Sequence, residues 1–225
     1  MFQLASASPR RIELLRRLGV DVTVVPAAVD EERYASPASA KADSVARDGV
    51  VTLAVDTEVE LDGVRLGKPR DHEHALELLR RLAGREHEVR SEVVVVSAAG
   101  TRLRFGVRTR VRVTSDDSQL VAYAATDEPL DKAGAYAIQG DGRRIVEGFE
   151  GCFANVTGLP LCHVYFALRR SGVASRERPE VACQSHFAFR CPVWQLAQRQ
   201  GRTLSAGREY ASWSDDLSGD LGVRR

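Results

Sequence analysis

From Arg104 to Val113 the chain alternates without a break, and this run constrains the fold more than any other stretch. Phe105, Val107, Thr109, Val111 and Val113 fall on one parity, and Arg104, Gly106, Arg108, Arg110 and Arg112 on the other. A period of two belongs to a β-strand with one buried and one wet face. The arginines would also suit a nucleic-acid surface. No aromatic residues interleave with them to stack on bases, so a solvated sheet face is preferred. The formal net charge of +1 adds no global basic field, and no nucleic-acid partner is expected.

Helical spacing appears on both sides of this run. Ser8 reads as an N-cap with Pro9 at the first helical position, followed by Ile12, Leu15 and Leu18 and closed by Gly19. Asp71 caps a second helix with the stripe Ala75, Leu78, Leu79 and Leu82, closed by Gly84. A third starts at Ser115 with Leu120 and Tyr123 inward, and a last one carries Leu161, Val164, Tyr165 and Leu168 between Pro160 and Gly172. Strands are expected at Phe2–Ala5, Asp21–Val25, Val51–Val55 (ending at Asp56), Val93–Val96 and Ile145–Phe149, with a turn at Ala98-Ala99-Gly100 and a glycine-rich stretch from Asp131 to Gly142. Mixed helices and strands with a central hairpin imply an α/β fold on a mixed sheet.

The 225 residues suit one large domain, or one domain with an appendage; 44% are hydrophobic and 28% charged, as in globular proteins. Met1–Ser8 runs straight into arginines without an apolar signal region, and no apolar run reaches membrane-spanning length, so a cytoplasmic protein without a membrane partner is expected. The four cysteines are read as reduced thiols, with Cys152 and Cys162 buried. After Ser171 the character changes. The chain divides into a domain over 1–174 and an extension over 175–225, rich in Ser, Arg, Gln and Gly but holding Phe187, Phe189, Trp194, Tyr210 and Trp213. The extension is expected to pack on the core or on a partner.

Three segments carry chemistry. In Ser6-Ala7-Ser8-Pro9-Arg10-Arg11, a helix N-terminus offers backbone N–H groups beside two forked guanidinium groups, a combination that binds phosphate. It is equally a capped surface helix with basic residues. Asp56, at the expected end of a strand, is followed by Gly67-Lys68-Pro69; the carboxylate could hold Mg²⁺ or orient water, and Lys68 could neutralise phosphate. Each is also ordinary turn chemistry. Asp131 through Gly140 joins a charged pair, two glycines and Gln139, which could read a base edge or a phosphate, or could simply be a glycine loop with a buried tyrosine.

Taken together, these segments resemble the Maf family of nucleotide pyrophosphatases. The resemblance rests on Leu4 through Arg11, Asp30-Glu31, Lys41-Ala42, Asp56-Thr57, Gly67-Lys68-Pro69, Leu82-Ala83-Gly84 with His87, Glu128-Pro129, Asp131 through Gly140, and Gly158-Leu159-Pro160-Leu161, in the family's order. It implies a two-lobed, mixed-sheet α/β fold with a central cleft, akin to the inosine-triphosphatase type. The reaction would cleave a nucleoside triphosphate substrate to the monophosphate and diphosphate with Mg²⁺ or Mn²⁺. By the same resemblance Ser8, Arg10 and Arg11 form a phosphate cradle, and Lys41 and Lys68 contact the triphosphate. Glu31 belongs to the metal site, Asp56 is the general base or a metal-bound carboxylate, and Gln139 is a further contact. Asp56-Thr57 and Ile138-Gln139-Gly140 resemble the branch acting on dTTP, UTP and modified pyrimidines; the branch acting on 7-methyl-GTP tends to carry Asp-Gln at the first place. A homodimer is the family-level expectation. The alternative is a nucleotide-binding regulator of septum formation with little or no hydrolysis.

The chain departs from the family pattern at Val55, Glu58 and Ser91, and the spacing from Glu31 to Lys41 is short. His72 and His74 point to different helix faces and are not read as a metal pair. Cys183, His186 and Cys191 match no common zinc spacing. His87 is read as supporting a strand start.

Overall fold

The computed structural model describes residues 1–187 and a two-residue strand at 211–212. The order is β1 (Phe2–Leu4), α1 (Pro9–Arg17), β2 (Thr23–Val24), α2 (Pro37–Val45), β3 (Val51–Leu61), β4 (Val64–Leu66), α3 (His72–Leu82), β5 (Glu86–Val96), β6 (Arg102–Val113), α4 (Asp117–Ala124), β7 (Val146–Glu150), α5 (Phe153–Val156), α6 (Leu161–Arg170), α7 (Pro179–Phe187) and β8 (Ala211–Ser212). Short 3-10 turns occupy Glu31–Arg33, Glu128–Asp131, Ala133–Ala135 and Gly140–Arg144. Phe189, Cys191, Trp194, Tyr210 and Trp213 lie outside the described residues, or outside those whose side chains are described, and with them most of the expected extension and one ligand of the zinc spacing.

The sheet is mixed, as the sequence implies, with strand order β2-β1-β3-β5-β6-β7 and β4 on β3. β1 runs parallel to both β2 and β3, whereas β3 with β4 and β6 with β7 are antiparallel. The chain forms two compact units. One takes Met1–Asp56, Ser91–Val107 and the described residues from Gly158 on; the other takes Thr57–Arg90 and Arg108–Thr157. β3, β5 and β6 each contribute residues to both.

In the second unit, α3 forms for the reasons legible in its sequence. Asp71 accepts the His74 N–H at 2.7 Å, and Ala75, Leu78, Leu79 and Leu82 are buried. Each buried leucine contributes roughly 1.5–3 kcal/mol. The stripe joins a core that includes Val59, Val89, Val111, Val113, Leu120, Tyr123 and Tyr136. β6 keeps its alternation throughout, with Phe105, Val107, Thr109, Val111 and Val113 buried. On the wet face Arg108 pairs with Glu88, Arg110 with Glu150 and Arg112 with Glu147. The arginine row is thus half of a cross-strand charge ladder. Buried Asn155 donates to Val89 O and Thr109 Oγ1, tying α5 to β5 and β6.

Several expectations need correction. The strand starting at Val51 does not end at Asp56 but runs on to Leu61, so Asp56 lies within it. β5 begins at Glu86, earlier than its valines suggest, and the strand expected over Asp21–Val25 shrinks to Thr23–Val24. The buried face of α1 is Arg11, Leu14 and Leu15, with Ile12 only half-buried. The α4 cap is Asp116, which accepts from Ser118 N and Gln119 N. Helices α2, α5 and α7 and strand β4 were not anticipated. In the first unit α7 packs on α6 and α1 and buries Pro179, Ala182 and Cys183. Among the described residues, no helix is long and apolar enough to cross a membrane.

Candidate active site

α2 starts where Ser36, as N-cap, accepts the Ser39 N–H at 3.3 Å and Pro37 takes the first turn. Its inner face holds Ala38 and Ala42, which pack with Ala5, Ala54 and Val94 in a cluster of small side chains. Small residues on both sides let the helix lie close to the strands. Lys41 falls in the same stripe, three residues after Ala38 and one before Ala42, so the helix directs an ammonium group inward.

That ammonium meets two carboxylates. Lys41 Nζ lies 2.8 Å from Asp56 Oδ1 and 2.6 Å from Glu31 Oε1. The Lys41 and Asp56 side chains are each 8% exposed, against 53% for Glu31 on its 3-10 turn. Burying an ion pair is favourable only with good geometry and further partners, and Arg11 supplies part of the surrounding field. Its buried guanidinium is pulled down to about 10 by burial, a loss opposed by the nearby charges of Asp56 and Glu31 and reinforced by Arg10. Arg11 therefore remains a cation at neutral pH. It also donates from Nε to Gly158 O at 2.9 Å and from Nη1 to Ser6 Oγ at 3.0 Å.

Arg11, Glu31, Lys41 and Asp56 are thus brought together in one unit. Ser8 takes the N-cap position of α1, as expected, but its hydroxyl makes no capping bond; its N–H donates to Ser6 Oγ at 3.3 Å. Arg10 is half-buried at the start of the same helix. Of the other expected residues, Thr57 follows Asp56 on β3 and is half-buried, Lys68 is exposed in the loop between β4 and α3, and Gln139 is half-buried before the turn at Gly140–Arg144; all three belong to the second unit. Within it, Gly134 N donates to Gly67 O at 3.0 Å, joining the loop of Lys68 to the loop of Gln139. Glu58 pairs with Arg65 across the β3–β4 hairpin at 2.7 Å, so this departure from the family pattern has a local partner.

Three further participants have no role legible in the sequence. Ser6 and the Gly158 carbonyl hold Arg11, and both lie inside quoted motifs without a role. Glu92 accepts from Ser36 Oγ at 2.7 Å and from Arg104 Nε, bracing the start of α2; a lone glutamate in a valine strand was the only signal. Among the described residues no three His, Cys, Asp or Glu side chains are gathered for a metal. Glu31 and Asp56 both address one ammonium, so a cation already draws their oxygens together. Two carboxylates completed by substrate oxygens suffice for Mg²⁺, which rarely has an all-protein cage. The donor set fits such an ion.

The family described as Maf-like protein matches residues 1–171. A dTTP/UTP pyrophosphatase of Exiguobacterium sibiricum is 45% identical over 180 residues, covering 76% of this chain and 92% of its own. One of Anaeromyxobacter dehalogenans is 46% identical over 182 residues, covering 75% and 93%. A dITP/XTP pyrophosphatase structure from Mycobacterium abscessus is similar over 51% of this chain and 74% of its own, at 17% identity and a TM-score of 0.32.

Proposed function

The chain belongs to the Maf-like protein family, and from that premise we propose that it is a nucleoside triphosphate pyrophosphatase acting on dTTP, UTP or modified pyrimidine nucleotides. The observation that carries this reading is the buried Asp56–Lys41 pair joined by Glu31 and faced by Arg11. Hydrolysis between the α- and β-phosphates needs a placed water, neutralised charge and fixed geometry, and little covalent help.

Each requirement has a candidate residue. Asp56, oriented by Lys41, takes a proton from the attacking water. In the first unit Lys41, Arg10 and Arg11 are the cations for phosphate oxygens, with Ser8 and the first N–H groups of α1 beside Arg10 and Arg11; in the second unit Lys68 is the candidate cation. Glu31 and Asp56 would hold Mg²⁺ or Mn²⁺, and the bound ion supplies further neutralisation of the phosphates. Thr57 and Gln139 contact the substrate and mark the pyrimidine preference. The names of the relatives support that preference.

The test is diphosphate release by the purified full chain with Mg²⁺ or Mn²⁺ over a panel of canonical and modified nucleoside triphosphates. Release from dTTP or UTP is expected, and Asp56→Asn should abolish it while nucleotide still binds. Binding without release from any nucleotide would reject hydrolysis and favour a regulatory nucleotide-binding role.

A further inference from the structure

The reaction outlined above leaves one buried polar pair unused. His87, on β5, is 3% exposed, and its Nε2 lies 2.7 Å from the Tyr136 hydroxyl. The rings meet edge to face, with centroids 5.2 Å apart at 84°. His87 Nδ1 has no hydrogen-bond partner among the described residues, so the ring's polar tie is to Tyr136. Burial pulls the imidazole down to about 4 and pushes the Tyr136 phenol up, so both remain neutral at physiological pH. An imidazole with one nitrogen unsatisfied is a poor core filler, since a buried, unpaired polar atom costs stability that an aliphatic side chain would not.

The loop held by this pair explains its presence. Tyr136 follows Gly134 and Ala135, both with positive φ, +69° and +59°. Ala135 is fully buried in a conformation that L-residues rarely adopt, and such strain persists only where the surroundings over-determine it. Successive ties do so here: Gly134 N to Gly67 O, Tyr136 to His87, Ala137 N to Tyr123 Oη at 3.1 Å, and Gly142 N to Glu128 Oε2 at 2.8 Å. Gln139 sits between the third and fourth ties, and Lys68 follows the residue that receives the first.

We propose that His87 is a positioning residue: its hydrogen bond to Tyr136 locks the strained 133–140 loop and thereby sets Gln139, and through Gly67 also Lys68, for the reaction. This role rests on the proposed function. Both side chains are buried, so the pair is assigned to act through the groups it fixes.

The test uses the full chain with Tyr136→Phe, His87→Leu and His87→Gln. Tyr136→Phe removes one oxygen and should lower kcat about tenfold while KM moves less than about threefold. Amide exchange over residues 133–140 should quicken by about tenfold in the same variant. His87→Leu should reproduce both effects, and His87→Gln, whose amide reaches the phenol, should restore both. Wild-type kcat in Tyr136→Phe would overturn the proposal, as would an equal loss in His87→Gln and His87→Leu. If the wild-type chain releases no diphosphate, the functional reading fails separately and amide exchange alone decides: unchanged exchange in Tyr136→Phe rejects the lock, and faster exchange there, reversed in His87→Gln, supports it.

Discussion

Lys41 lies on the buried stripe of its helix because Asp56 and Glu31 receive it there, and the two carboxylates are not equivalent. Asp56 is buried and Glu31 is half exposed. Lys41→Ala would take the ammonium away from a buried carboxylate and should cost about 3 kcal/mol in urea unfolding, the low end for a broken buried pair. Glu31→Ala should cost less than about 1 kcal/mol, because solvent already screens its charge. Equal losses would show that the burial difference is unimportant. His87 makes a separate prediction. Its native pKa of about 4 lies below the ordinary 6.5, so its contribution is fully present above pH 6.5 and is lost as pH falls through 4. The loss is about 3 kcal/mol across that window, and His87→Gln should lack it, giving a flatter acid limb in unfolding midpoints taken from pH 7 to 4. The identities of these side chains were visible in the sequence; their partners were not. Nothing local to Lys41 shows that it crosses to a strand fifteen residues on, and His87 reads as an ordinary polar residue until Tyr136 is placed against it.

Helix α2 is not legible from periodicity because Pro37–Val45 has no leucine stripe: its buried face is proline, alanine and lysine. Its signal was the cap, Ser36-Pro37, which marks a helix start whatever follows. The full lengths of β3 and β5 are hidden in the sequence for related reasons. From Val51 to Asp56 both faces of β3 are buried, and alternation starts only after Asp56. In β5 the inward positions include His87 and Ser91, polar residues that hide the period of two. The elements read correctly, α3, β6 and α6, have predominantly apolar inner faces, in which Thr109 on β6 and His163 on α6 are too few to hide the period. The loop after α4 was recognised as glycine-rich, but its reason is steric. A Cβ on Gly134 would stand 2.9 Å from Val59 Cγ1, whereas one on Gly63, also at positive φ, would meet nothing within 4 Å. Gly63→Ala should therefore cost only the left-handed penalty of about 1–2 kcal/mol. Gly134→Ala should cost at least about 2 kcal/mol more, through overpacking of a β-branched neighbour, and Val59→Ala should relieve part of that excess. Equal costs at the two glycines, measured by denaturant unfolding, would remove the steric argument.

The family match ends at residue 171, yet the folded chain does not stop there. Glu177 N donates to Leu18 O at 3.1 Å, and Arg176 holds both Asp21 oxygens, at 2.8 and 2.9 Å. Gly19 permits this approach, because a Cβ there would lie 2.7 Å from Arg176 Cβ. The Arg176–Asp21 pair is solvent-exposed and adds little. The buried side chains of α7, Pro179, Ala182 and Cys183, rest on α1 and α6 and contribute on the order of 2–3 kcal/mol. α1 carries Arg10 and Arg11, so the segment beyond the family domain braces the helix that presents the phosphate-binding candidates. A chain ended after Ala174, the boundary drawn from composition, should melt roughly 5–10 °C below the full chain, and one ended after Phe187 should keep most of the full midpoint. If the two shortened chains melt together, α7 adds nothing to the domain and the boundary lies where the family match ends. If only the shorter one loses stability, residues 175–187 are structural to the first unit, and a separate role for the extension must be sought beyond them.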